Sequence, residues 1–219
     1  MDFIKYMSYN CCYQNSINLF ISLGLQYANN ADVASNRILN DESLSGNTNA
    51  EILEFKTKLK EFVEKYESSR NFCMVWNIIA MYTDAVDKYF HIPEDKITPE
   101  NNYILELLKK HKGSDVATRF LAEFKKFENN FVSLFEENKE HLEKPMLDWY
   151  EKFKTFNNTE KKIDAFSEFF ELFKKEMVEK STYHLPRGML PCVLSCQGKE
   201  VLPRPVSLAG LFRTLLPMI

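Results

Sequence analysis

Four histidines and five cysteines are the residues of this 219-residue chain best equipped for chemistry. Glu137 and His141 stand four apart, which on a helix puts them on one face. Helical bundles hold paired metals with Glu and Glu-x-x-His ligands on facing helices. Glu137 with His141 is offset by four, Asn138 stands at the spacing of three, and a second Glu-x-x-His is absent; Glu136, Glu140 and Glu143 crowd the same stretch, so a solvated, charged helix end is the simpler reading. His184, Cys192 and Cys196 offer three of the four ligands that a structural zinc site needs, with His111 or Cys73 required from afar as the fourth. Ordinary thiols are the simpler reading there too. Cys11 and Cys12 form a pair of the kind that is palmitoylated at membranes. Adjacent helical residues point to different sides, and plain burial is the better expectation. No GxxxxGK[ST], GxGxxG or GxSxG motif occurs. The expectation is therefore no catalytic residue, no metal and no cofactor.

The elements that would position such residues are helical. The chain has only 6 Gly and 8 Pro against 18 Phe and 10 Tyr. That composition argues against an all-β sandwich, which needs many turns, and for a dense aromatic core. A formal net charge of −3 gives no overall positive field to draw nucleic acid. The longest apolar run, Ile17 to Ala28, is broken by Asn18, Ser22 and Gln26, so a transmembrane helix is not expected. Ser8, Asn10, Gln14 and Asn15 precede it, unlike a secretory leader. Five unevenly spaced cysteines do not form a disulfide framework, and a reducing, intracellular compartment (cytoplasm or host cytosol) is the expectation.

Periodicity places the helices. One is expected over residues 2–28, ended by Asn29-Asn30, with a short helix over Asp32–Leu39 and a loop over 41–47. Thr48-Asn49-Ala50-Glu51 has capping-box spacing. Ile52, Phe55, Leu59, Phe62 and Tyr66 then recur at steps of three and four, the helical stripe. Residues 72–90 carry a wide apolar arc and are expected to form the central helix, stopped by Ile92-Pro93. Thr98-Pro99-Glu100 starts the next helix, which ends near His111 with Gly113 at the left-handed C′ position and Ser114 as the next cap. A further stripe runs through Val116, Phe120, Phe124, Phe127, Phe131 and Leu134 to about Leu142. A shorter helix carries Met146, Trp149, Tyr150 and Phe153. The last has Ile163, Phe166, Phe170, Phe173 and Met177, widened by Phe169 and Leu172. The fold class is all-α: an antiparallel bundle of about six helices, residues 1–182, with an irregular, Pro-containing tail over 183–219.

That tail differs in composition. Residues 1–182 hold 21 Lys, three Arg and 18 Asn, net −6. Residues 183–219 hold one Lys, three Arg, five Pro and no Asn, net +3. Lys, Asn, Ile, Phe and Tyr are the products of AT-rich codons, so the body reads as the product of an AT-rich genome. The tail reads as a docking segment, a late extension or an appended sequence. Leu208, Leu211, Phe212 and Leu215 fall at i, i+3, i+4 and i+7, the spacing of a helix that anchors in a partner's groove. That the tail wraps the body and completes its core is the simpler reading. The leading expectation is a non-enzymatic protein–protein interaction module, as an effector, viral or assembly subunit, with another protein as partner and no nucleic acid. The alternative is a ligand- or lipid-binding bundle with a pocket of about 300 Å³ or more lined by Phe120, Phe124 and Phe166. A helical metalloenzyme using Glu137 and His141 comes third.

Overall fold

A computed structural model of the chain describes residues 3–68 and 75–181, and the side chains of 15–68 and 75–172 apart from 141, 160 and 167. Seven α-helices and no strand occur among the described residues: α1 (Phe3–Leu39), α2 (Ala50–Ser68), α3 (Val75–Val86), α4 (Pro99–Lys110), α5 (Asp115–Asn138), α6 (Lys144–Lys154) and α7 (Thr159–Ser181). The fold is all-α, as the stripes imply. No helix among the described residues is long and apolar enough to cross a membrane. The described residues form two compact units, one from 3–20 with 125–181 and one from 21–68 with 75–124.

Helix α1 corrects the first boundary. Asn29-Asn30 does not end it, and the two expected helices are one. The apolar stripe continues past the asparagines in small residues, with Ala28, Ala31, Ala34, Ser35 and Ile38 all buried. Asn29 is used sideways instead, accepting from the Tyr66 hydroxyl at 3.4 Å. The helix stops ten residues later, where the side-chain Nδ2 of Asn40 donates to the Asn36 carbonyl at 2.8 Å.

The second unit is built around α3. Eight of the twelve α3 residues are buried, so the helix is enclosed rather than laid on a surface. A single turn of 3-10 helix, Asp87–Phe90, extends it towards Ile92-Pro93, where the expected stop falls. Helix α2 packs on it through Ile52, Phe55, Leu59, Phe62 and Val63. Tyr82 meets Phe62 and Tyr27 with ring centroids at 5.3 and 6.1 Å. Gly24 lets α1 approach: a Cβ there would stand 3.3 Å from the Trp76 ring.

Two caps differ from the sequence reading. Asn49, not Thr48, caps α2, its Oδ1 accepting from the amides of Glu51 at 2.9 Å and Ile52 at 3.4 Å. The left-handed residue after α4 is Lys112 (φ 61°), not Gly113. The turn is a Schellman motif: the Gly113 amide donates to the Leu108 carbonyl at 2.7 Å and the Lys112 amide to that of Lys109 at 3.1 Å. Gly113 is needed for a different reason. A Cβ at that position would lie 2.9 Å from Leu108 Cδ2 and 3.2 Å from the Tyr82 hydroxyl, which donates to the Gly113 carbonyl. Thr98 does cap α4, accepting from the Asn101 amide at 3.2 Å.

The first unit has Phe131 at its centre. Its ring lies 4.7–5.8 Å from those of Phe127, Phe135, Trp149, Phe153, Phe166 and Phe169. Each well-oriented aromatic pair adds about 0.5–1.5 kcal/mol beyond area burial. Phe135 is buried where the stripe points to Leu134, and on α7 both Phe169, buried, and Phe170, half-buried, join the aromatic cluster. Helix α5 ends at Asn138, whose amide donates to the Leu134 carbonyl, and a 3-10 turn covers Lys139–His141 before Leu142. Met146, Trp149, Tyr150 and Phe153 are buried on α6 as expected, and the Trp149 indole donates to the Ala165 carbonyl at 3.0 Å.

Candidate functional site

The densest convergence of chemistry-bearing side chains lies in the second unit. Asp41 follows α1 and caps the 3-10 turn Glu42–Leu44. Its Oδ1 accepts from the Ser43 amide at 3.0 Å and the Ser43 hydroxyl at 2.7 Å. Its Oδ2 accepts from Lys110 Nζ at 2.7 Å and pairs with His111 Nε2 at 2.5 Å, both at the C-terminal end of α4. The Tyr103 hydroxyl donates to Ser43 Oγ at 2.8 Å. Asp, His, Ser, Tyr and Lys are thus within one hydrogen-bonded chain.

The order of that chain decides what it can do. In a nucleophilic triad the imidazole stands between hydroxyl and carboxylate, so that it can take the proton. Here the carboxylate stands between Ser43 and His111, and the hydroxyl donates to Asp41. The bonds from Lys110, His111 and Ser43, in that order, hold the Asp41 carboxyl well below the usual carboxylate range. A carboxylate so stabilised is a poor base for a serine hydroxyl. The arrangement is a clasp: a capping aspartate whose second oxygen ties down the cationic end of α4, where positive charge is favoured by the helix dipole.

Two carboxylates of the first unit are held in the same manner. Glu128 is buried on α5, with Oε1 paired to Lys162 Nζ and Oε2 to Lys125 Nζ at 3.2 Å. The Lys162 ammonium also lies 5.8 Å from the centre of the Phe153 ring, within cation–π range. Glu136 accepts from Lys139 at 3.0 Å, from the Tyr150 hydroxyl at 3.0 Å and from Lys154 at 3.4 Å. Lys139 foremost, then Tyr150, bring its carboxyl down to about 2. Burial, and then the bond to Glu136, push the Tyr150 phenol above its ordinary range.

The residues singled out in the sequence fall elsewhere. Glu137 is exposed near the end of α5, and His141 closes the 3-10 turn that follows. No group of three or more His, Cys, Asp or Glu side chains arranged to hold a metal occurs among the described residues. His111 is engaged by Asp41. Cys73, His184, Cys192, Cys196 and the anchors Leu208, Leu211, Phe212 and Leu215 lie outside the described residues. Phe120 and Phe124 are buried in the second unit, their rings stacked at 6.1 Å, and Phe166 is buried in the first. A cleft in the second unit lined by Leu23, Gln26, Tyr27, Asn30, Arg119, Phe120 and Glu123 has a volume of about 20 Å³. That is room for a water, far below the roughly 300 Å³ of a ligand pocket.

The fold is all-α, and in the described polar clusters a carboxylate joins one helix to another segment. No known protein family, characterised protein or solved structure matches the chain.

Proposed function

We propose that the chain is a non-enzymatic helical protein–protein interaction module that works inside cells, as an effector, viral or assembly subunit from an AT-rich genome. The observation that carries this reading is how the carboxylates are used. Asp41, Glu128 and Glu136 are hubs of the described polar clusters, and each is tied to a cation that fixes one helix to another segment: Lys110, Lys162 and Lys154. Asp41, tied to Lys110, His111 and Ser43, is a poor base for the hydroxyl beside it. The binding element in this proposal is the apolar stripe Leu208, Leu211, Phe212 and Leu215, in a segment of net +3 appended to a body of net −6. Such spacing fits an apolar groove on a partner protein. The alternating Lys and Glu of the helical faces favour solubility over nucleic-acid binding.

The test uses the full chain and its variant L208S/L211S/F212S/L215S. Proteins captured by the wild-type chain are purified, mixed with it one to one and titrated. The expected result is direct binding that weakens by about tenfold or more in the variant, a loss of about 1.4 kcal/mol or greater. The urea midpoint of the body is expected to stay unchanged. Equal binding by both chains would overturn the proposal. So would a lowered midpoint in the variant, because the segment would then belong to the fold.

A further inference from the structure

We draw no further inference here: the strongest candidate, the Asp87–His91 pair at the C-terminal end of the buried helix α3, with Asp87 Oδ1 3.5 Å from His91 Nε2, joins no third ligating side chain among the described residues, and nothing in the structure shows what would occupy it.

Discussion

Removing the Asp41 carboxylate should loosen the second unit at two places at once. In Asp41→Ala the 3-10 turn loses its cap, which costs about 1 kcal/mol. The His111 ring, only 16% exposed, loses its partner, and a poorly hydrated polar group left unpaired costs about 1–3 kcal/mol. The Lys110 ammonium is 63% exposed, so its bond adds less than about 1 kcal/mol. The expected total is about 2–5 kcal/mol, or about 4–20 °C in the unfolding midpoint of a chain this size. Asp41→Asn keeps an acceptor for the Ser43 amide and should lose about half as much.

The pH dependence follows from the direction of the shift. The Asp41 carboxyl is lowered in the folded chain relative to its unfolded value of about 4. Its contribution is therefore complete above that value and fades as pH falls through the folded one. Urea unfolding followed by circular dichroism, at intervals from pH 7 to pH 2.5, should show a wild-type advantage over Asp41→Ala that is flat down to about pH 4.5 and then shrinks. The reasoning fails if Asp41→Asn and Asp41→Ala lose equally at pH 7. It also fails if the advantage is unchanged at pH 2.5.

The buried pair in the first unit predicts a non-additive result. Glu128→Ala strands Lys162, whose side chain is 17% exposed, and should cost about 1–3 kcal/mol. The double change E128L/K162M removes both charges and should cost clearly less than the single one; a double-mutant cycle in urea reads the difference, and additive losses would refute the pairing. At the end of α4, Lys112→Gly should stabilise by about 0.5–1 kcal/mol because only glycine adopts the left-handed region without a steric penalty. Gly113→Ala should destabilise by about 1–3 kcal/mol, since its Cβ would press on Leu108 and Tyr82. Thermal melts of both variants separate the two glycine roles, and equal effects of one sign would refute the assignment.

The period of three and four marks the buried faces of α2 and α6. Ile52, Phe55, Leu59 and Phe62 are buried, as are Met146, Trp149, Tyr150 and Phe153. Beyond Asn29-Asn30 the buried face of α1 is Ala31, Ala34, Ser35 and Ile38. Small residues are compatible with either a core or a surface, so the stripe fades in the sequence while the helix continues. Where two apolar residues are adjacent, as Leu134 with Phe135, a period of 3.6 cannot choose between them over several turns. The packing partner chooses. Thr48 and Asn49 are both competent caps, and Asn49 prevails with its own amide held by Asn47 Oδ1 at 3.0 Å.

The clasp shows why side-chain clusters are harder to read than helices. Both halves of it are visible in the sequence. Asp41, before Glu42-Ser43, has the form of an Asx turn. Lys110 and His111 complement a helix C-terminus. Each half is explained locally and advertises nothing further. Yet a carboxylate that caps a turn spends one oxygen on the task and keeps the other, and a cationic helix end keeps donors to spare. Any capping aspartate packed beside a cationic helix end can therefore form such a clasp at little added cost, with partners 69 and 70 residues apart in this chain. What the sequence lacks is adjacency, which comes from the packing of the second unit: α4 lies against α2 and against the 3-10 turn that extends the buried helix α3. A cluster of Asp, His, Ser, Tyr and Lys thus arises from caps and core packing, and its order of bonds, not its composition, separates it from a catalytic site.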